Sequence, residues 1–347
     1  MLSAIIILSF LIFFHEFGHF LMARLVGVKV EVFSIGFGKK LICKNFKGTN
    51  WCISAVPLGG YVQMKGQDDS DPTKKSNDPD SYTTKSPWQK ILILLGGPGF
   101  NFLLAIIVYF GIALSGWQKL APVVGKTIPN TPAFKVLKPG DKIIQINGIK
   151  IKAWDDIPKI EKKFNIFNVM ILRNGKIIDV TIKPKIITAK NIFSETVKRK
   201  IIGIIPSGKM IKVKYSLFEA IPVAFDNFKN ASTLIVKGLE KLVSGSIGLK
   251  TISGPIGIVD VTAKVANYGM QPLLLLMALL SVNLGVLNLL PIPALDGGHI
   301  MFNLYEAFFK KELSESIMVK LTIAGWIFLG GLMLLGIYND ITRIVGG

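Results

Sequence analysis

The sequence contains little cysteine and little histidine, and both scarcities narrow its function. The two cysteines, Cys43 and Cys52, lie nine residues apart, a spacing that fits no common zinc or redox motif. A disulfide is one interpretation of this pair, and two separate thiols is the one we favour. All three histidines fall inside two short motifs, which leaves none for a serine triad elsewhere. The chain also lacks a GxSxG elbow and a glycine-rich phosphate loop ending in Lys-Ser or Lys-Thr.

Acidic residues are also scarce. The 347 residues include 22 Asp and Glu against 41 Lys and Arg, which gives a formal charge of +19. A nucleic-acid-binding protein could have this charge, but the lysines are spread between apolar runs and no base-reading motif is present. Half of the chain is apolar and the mean hydropathy is +0.49. We therefore predict a membrane protein whose partner is the lipid bilayer, near anionic lipid, with no nucleic acid bound.

Four apolar runs approach the length of about 20 residues that crosses a bilayer. The first lacks the basic start and the cleavage site of a signal peptide, so we interpret it as a retained helix. The second is interrupted early by the sequence GGPGFN, and the third continues into PIPALDGGH. The predicted transmembrane helices cover residues 1–26, 88–115, 271–296 and 318–340.

The segments between these runs are more polar. Residues 27–87 have strand-like runs punctuated by glycine, followed by a polar loop, which predicts a β-hairpin and a loop. Residues 117–205 have short β-branched runs separated by Pro-Gly and Asn-Gly turns, which predicts a β-rich domain. Residues 206–270 are predicted as an amphipathic helix and a linker. That helix, Leu217 to Val243 by its spacing, could pack on the β-rich domain or lie on the membrane surface.

Lysines near the membrane ends indicate orientation. The segment 27–87 carries many of them, which favours the cytoplasmic side. The β-rich domain would then lie outside, and both chain ends would share a side.

The strongest chemical signal is the HEFGH sequence inside the first span. His15 and His19 are four residues apart, so they share one face of a helix and can both bind one zinc ion. Glu16 lies between them, where it could take a proton from metal-bound water. In a soluble protein this pattern is often an ordinary helix surface. Inside an apolar span such groups are costly unless they are paired, which favours a functional site.

A catalytic zinc ion usually has three protein ligands, so a third must come from elsewhere. Asp296 is the candidate, because it is an acidic residue beside an apolar span and a pair of glycines. The alternative is that Asp296 only caps a helix or a turn. His299 is a rival ligand; otherwise it could support or gate the site, or be an interfacial histidine.

Two asparagines also lie in apolar surroundings. Asn288 precedes Pro291 and Pro293, which break the third helix and expose backbone that must line protein or a wet cavity. Its amide could donate to a developing oxyanion or could cap the broken helix. Asn101, after GGPGF, is interpreted as a structural contact between helices.

Taken together, HEFGH, NLLPIPALDGG and the β-rich domain between the second and third spans resemble the site-2 protease family, in particular its bacterial regulator-of-sigma-E protease branch. The SIGFG, PLGGYVQMKG, GGPGFNF and SGPIGI sequences are similar to signatures of that branch. The stretch KVLKPGDKIIQINGIKI resembles the most diagnostic part of a PDZ domain. Better-known relatives carry two such domains, whereas the interval here fits one.

The resemblance implies a polytopic α-helical membrane protein with four transmembrane helices, a membrane-associated β-hairpin and one inserted PDZ-like β-rich domain. It implies Zn²⁺ held by His15, His19 and Asp296, with Glu16 as the base that activates zinc-bound water. Asn288 would act near the scissile carbonyl. The hairpin would guide an unwound substrate strand; its positions are Gly36, Gly38, Gly59 and Gly60.

The function implied by the resemblance is regulated intramembrane proteolysis in the bacterial inner membrane. The substrates would be single-pass transmembrane proteins, usually trimmed first by another protease. Two other classes of function stay open on the residues alone. One is a non-enzymatic scaffold whose metal site is closed by His299 as a fourth ligand. The other is a zinc transporter, which would need polar residues along several spans.

Overall fold

The computed structural model describes residues 2–67, 76–161, 163–191 and 195–346. Its α-helices are, in chain order, α1 (Leu2–Leu25), α2 (Pro87–Ser115), α3 (Asp156–Glu161), α4 (Leu217–Val243), α5 (Pro255–Ala266), α6 (Met270–Asn288), α7 (Asp296–Phe309) and α8 (Glu315–Val345). Among the described residues, four helices are long and apolar enough to cross a membrane: α1, α2, α6 and α8. The four predicted spans thus correspond to four helices. The helical spacing of residues 217–243 likewise corresponds to α4.

The prediction that GGPGFN interrupts the second span is wrong. Helix α2 runs without a break from Pro87 to Ser115 and contains Pro98. A proline removes one backbone donor and crowds the preceding turn, but transmembrane helices tolerate it where neighbouring helices support the backbone. Several residues on this turn are buried, among them Leu94 and Asn101, which provides such support.

The prediction that Asp296 ends the third span is also wrong. Helix α6 ends at Asn288, and a short non-helical segment containing Pro291 and Pro293 follows. Asp296 is the first residue of a separate helix, α7. The two prolines explain the break, since neither can donate a helical hydrogen bond. Helices α5 and α7 were not predicted as separate elements.

Residues 27–64 form a bent β-hairpin. Strand β1 (Val30–Phe46) pairs antiparallel with strand β2 (Thr49–Met64). The turn between them consists of Lys47 and Gly48, both at positive φ, as the tightest hairpin turns require. Residues 32–35 of β1 contact β2 twice, at 50–53 and at 60–63, which makes a small sheet from two long strands.

The prediction of two separate thiols is wrong. Cys43 and Cys52 form a disulfide. They lie directly opposite each other in the register set by the two-residue turn, which also pairs Phe46 with Thr49. The two-residue turn, and not the cysteine spacing alone, was therefore the feature of the sequence that indicated the disulfide.

The sheet packs on the end of α1 and on α2. Phe33 is fully buried and contacts the rings of Phe13, Phe17, Phe20 and Trp51. The buried apolar residues of this cluster are Ala23, Val28, Val30, Phe33, Val62, Met64 and Ile93. A second cluster, formed by Ile7, Leu11, Leu104 and Met277, joins α1, α2 and α6.

A buried carboxylate attaches helix α8 to the start of α5. Asp340 is 1% exposed and accepts hydrogen bonds from the amides of Gly254 (2.9 Å) and Gly257 (2.7 Å). It also accepts a bond from Ser253 Oγ at 2.9 Å. A carboxylate at a helix N-terminus satisfies amides that have no partner within the helix. The SGPIG sequence is thus the N-terminus of α5.

Residues 110–223 form a separate compact unit that is rich in β-structure. Its strands are β3 (Trp117–Leu120), β4 (Val124–Thr127), β5 (Lys142–Ile146), β6 (Ile149–Lys150), β7 (Phe167–Arg173), β8 (Lys176–Ile182), β9 (Lys185–Lys190), β10 (Thr196–Ile201), β11 (Ile204–Pro206) and β12 (Met210–Val213). The largest sheet has the order β6-β5-β7-β8, and the pairs β3–β12, β4–β11 and β9–β10 complete the unit. Whether it is a PDZ domain stays a prediction.

An ion pair lies at the edge of this unit's core. Asp141 is 1% exposed and contacts Arg173 through two bonds of 2.7 Å, and it accepts the amide of Lys138 at 2.7 Å. Burial alone would raise the pKa of the Asp141 carboxyl. The bonds from Arg173 and from the Lys138 amide outweigh burial and hold this pKa below its ordinary value.

Candidate metal centre

Three of the predicted site residues come together where α1 meets the first residue of α7. One ligand atom each from His15, His19 and Asp296 lie within 4.8 Å of one another, the one such cluster of its kind among the described residues. The two Nε2 atoms are 3.2 Å apart, and they lie 3.3 and 3.5 Å from the two carboxylate oxygens. Both histidines are at most 9% exposed. Asp296 thus meets two histidines that precede it by at least 277 positions in the chain.

The Nδ1 atom of each imidazole, which points away from the cluster, contacts a polar group of α2. His19 Nδ1 lies 2.9 Å from the carbonyl oxygen of Ile93, and His15 Nδ1 lies 3.0 Å from the amide of Asn101. Both partners belong to α2. A carbonyl can only accept, so His19 carries its proton on Nδ1 and directs the lone pair of Nε2 towards the cluster.

Glycine allows α1 and α2 to approach closely enough for these bonds. A methyl group at Gly18 would collide with the carbonyl oxygen of Gly96, and one at Gly97 would collide with Nε2 of His19. Small residues at a helix crossing let backbones approach in membranes. The HEFGH segment of α1 therefore packs closely against the GGPGF segment of α2.

Asp296 reaches the cluster from the first turn of α7. The residue that caps this helix is Leu295, and no side-chain bond caps it, so the capping role that the sequence left open does not describe Asp296. The glycines after Asp296 bring α7 against the preceding loop: a methyl group at Gly297 would collide with the carbonyl oxygen of Leu290.

A buried ion pair that the sequence did not indicate also fixes α7. Lys90 of α2 is 7% exposed, and its Nζ lies 3.2 Å from a carboxylate oxygen of Glu306. These residues are 216 positions apart, so no local pattern could have paired them. The contact joins α2, which supports both imidazoles, to the helix that begins with Asp296.

The remaining predicted residues have different positions. Glu16 is half-buried, and its Cγ lies 3.2 Å from where a methyl group on Gly60 would be, so the hairpin closely approaches this carboxylate. Asn288 is the half-buried last residue of α6. His299 is not a member of the three-residue cluster; its ring lies edge-on to Phe302.

The substrate-guiding candidates lie where the hairpin bends. Gly36, Gly38 and Gly59 have positive φ values, which favour glycine. A methyl group at Gly59 would collide with the ring of Phe37.

The cluster lies nearer to the hairpin end of α1 than to the other end. His19 is six residues and His15 ten residues before Leu25, the last residue of the helix. At 1.5 Å per residue these are distances of about 9 and 15 Å along the axis.

The donor set fits a zinc ion. Two imidazole nitrogens and one carboxylate are a known ligand set of catalytic zinc, which keeps its fourth position open. Within the described residues, Oδ2 of Asp296 is buried and accepts no hydrogen bond, and a cation would satisfy it. His15, His19 and Asp296 could therefore hold the metal.

Comparison with known proteins agrees with this chemistry. Residues 3–332 match the model of the family described as Peptidase family M50. A Campylobacter jejuni protein named "Putative zinc metalloprotease Cj1068" is 46% identical over 346 residues, covering 99% of this chain and 94% of that protein. The metalloprotease MmpA of Caulobacter vibrioides is 32% identical over 381 residues, covering 99% of this chain and 95% of MmpA. The chain therefore belongs to peptidase family M50, the site-2 protease family, and is a membrane metalloprotease.

Proposed function

We propose that this protein is a zinc-dependent intramembrane endopeptidase that cleaves single-pass transmembrane proteins. The observation that carries the proposal is the meeting of His15 and His19, inside the apolar helix α1, with Asp296 at the start of α7; Glu16 lies on the same helical turn as the histidines. Such groups are costly in a membrane and mark functional sites.

Each residue has a role in the proposed reaction. His15, His19 and Asp296 would hold the zinc ion, which when bound polarises a carbonyl and lowers the pKa of water. Glu16 takes a proton from the attacking water and delivers it to the nitrogen of the leaving amine. Asn288, at the end of α6, donates its amide to the oxygen of the scissile carbonyl.

The hairpin would position the substrate. In the described part of the sheet, residues 60–64 form one edge, and Gly60 closely approaches Glu16. An extended substrate strand could add to this edge by backbone pairing, because a sheet edge has unused donors and acceptors. Glycine at 36, 38, 59 and 60 lets the strands bend and lets a substrate backbone approach.

We further propose a location in the bacterial inner membrane, with the hairpin on the cytoplasmic side and a PDZ-like domain outside. The lysines that flank the spans support this orientation. Disulfides are rare in reducing compartments, so the Cys43–Cys52 bond argues for the opposite side. Labelling the cysteines of intact, reduced cells with a membrane-impermeant reagent decides between the two orientations.

The test of the enzyme uses three purified proteins in detergent: the wild type, Glu16→Gln, and Glu240→Gln as a control at an exposed position of α4. Each is incubated with a single-span model substrate, and bound zinc is measured. We expect one zinc per chain in all three and cleavage by all except Glu16→Gln. Cleavage by Glu16→Gln would refute the role of this residue. Absence of zinc from the wild type would refute the metal site.

A further inference from the structure

Asn101 is a buried polar residue in the middle of an apolar helix, and the proposed reaction gives it no role. Its side chain is 0% exposed, and its backbone carbonyl accepts a hydrogen bond from Ser281 Oγ of α6 at 2.7 Å. Its amide nitrogen lies 3.0 Å from Nδ1 of His15. Within the described residues, its Oδ1 atom is buried and has no hydrogen-bond partner.

The proton of His15 decides whether that ring can bind a cation. With the amide nitrogen of Asn101 towards Nδ1, the amide donates, and a neutral ring then carries its own proton on Nε2. Nε2 is the atom that faces His19 and Asp296. A protonated Nε2 has no lone pair to offer.

The opposite orientation of the amide removes this conflict. The oxygen and nitrogen of an amide are nearly equal in size, so exchanging them changes the hydrogen bonds and not the packing. Oδ1 then accepts the proton of His15 Nδ1, and the amide nitrogen takes the buried position that the oxygen leaves. His15 comes to match His19, whose Nδ1 faces a carbonyl oxygen that can only accept.

We propose that Asn101 is a positioning residue, whose amide oxygen accepts the Nδ1 proton of His15 and so directs the Nε2 lone pair into the metal site. This inference rests on the proposed zinc site. A metal-binding histidine commonly donates its second nitrogen to an oxygen acceptor, which fixes both tautomer and ring orientation. Here one helix, α2, supplies both acceptors: the Ile93 carbonyl and the Asn101 amide.

The test compares two substitutions that have opposite hydrogen-bonding capacity and similar size. Asn101→Leu removes the acceptor, and we expect zinc affinity to fall about 10- to 100-fold. Asn101→Asp keeps an acceptor and cannot donate when it is ionised, and we expect it to keep or exceed the wild-type affinity. Zinc affinity is measured on the full-length protein in detergent by competition with a chelator, so no substrate is needed.

Ser281→Ala is the matched control. It removes the bond to the backbone of the same asparagine and leaves the amide intact, so we expect unchanged zinc affinity. Thermal unfolding of the metal-free proteins shows whether any variant is misfolded. Should Asn101→Leu fail to fold, Asn101→Asp still decides the question.

Two results would overturn the inference while leaving the proposed function intact. One is a loss of zinc by Asn101→Asp, which would mean that the amide acts as a donor. The other is wild-type affinity in Asn101→Leu, or an equal loss in Ser281→Ala, which would make Asn101 a packing residue. A wild-type protein that binds no zinc would instead refute the metal site itself.

Discussion

At the scale of single residues, the chemistry of the site depends on which side chains contribute ligand atoms. Asp296 and His299 were rival third ligands in the sequence, and only Asp296 joins the cluster in the structure. We expect Asp296→Ala to lose zinc affinity by more than about 100-fold, since loss of a group that merely supports a ligand costs 10- to 100-fold.

The matched substitution is His299→Ala, one turn further along α7. It should keep one zinc per chain, as measured by elemental analysis and chelator competition. An equal loss of zinc in both variants would mean that His299 is also a ligand. The site would then be closed by four protein ligands, as expected for a scaffold protein.

The Asp141–Arg173 pair gives the β-rich unit a pH-dependent stability. Because the pKa of Asp141 is lowered in the folded state, its contribution is complete above the ordinary carboxyl pKa and is lost as the pH falls through the folded-state pKa. Asp141→Asn should reduce the free energy of unfolding of this unit at pH 7 by about 2 kcal/mol, the scale of hydrogen bonds to a charged group.

Hydrogen exchange in β5 and β7 of the full-length protein, corrected for intrinsic exchange rates, measures this effect. The difference between Asp141→Asn and the wild type should shrink in acid. A difference that stays constant down to pH 2 would show that the carboxylate charge is not what stabilises these strands.

Part of the site follows from local sequence alone. His15, Glu16 and His19 are predictable because helical periodicity places them together, and because an apolar run makes their polarity costly. Asn101 was correctly interpreted as a contact between helices, but the ring nitrogen that it contacts could not be predicted, because His15 is 86 positions away. Lys90 and Glu306 were missed for the same reason.

At the scale of elements, the crossing of α1 and α2 sets the geometry of the imidazoles. Gly97 and Gly99 are two residues apart on α2, but a methyl group at Gly97 would collide with both imidazole rings, whereas one at Gly99 meets nothing within 4 Å. We expect Gly97→Ala to lose most of its zinc affinity, because the rings must turn or the helices must separate.

Gly99→Ala is the control and should bind zinc like the wild type. Both are measured by chelator competition, and circular dichroism reports whether helix content is retained. Equal zinc affinity in the two variants would mean that the contact at Gly97 does not constrain the rings.

The elements also show where periodicity fails as a predictor. The prolines were correctly predicted to break the third helix, but the predicted span was still extended to residue 296, the first residue of α7. The opposite error occurred at Pro98, where a helix breaker lies within a continuous helix. Both outcomes depend on whether neighbouring helices support the local backbone, which is tertiary information.

At the scale of the whole molecule, the site has a definite depth along α1. A substrate helix of about 20 residues crosses the hydrocarbon core. With the cluster about 9–15 Å from the hairpin end of α1, and about 3.3 Å per residue in the extended substrate strand proposed above, we expect cleavage about 3–5 residues from the hairpin-side end of the substrate span.

Mass spectrometry of the products of a single-span substrate locates the cut. Shifting the apolar run by three residues along the substrate sequence should shift the cut by three residues in the same direction, so that the cut keeps its distance from the hairpin-side end of the run. A cut that stays at one peptide sequence would indicate that side-chain recognition, and not depth, selects the bond.

In the proposed reaction, this off-centre position would make the two products unequal. The hairpin-side fragment would keep only about 3–5 apolar residues, too few to span a bilayer, whereas the other fragment would keep the longer part. The first can diffuse away into water, and the second stays anchored. A single hydrolysis would thus release a soluble signalling fragment on one side of the membrane, and the other fragment would stay anchored in the bilayer.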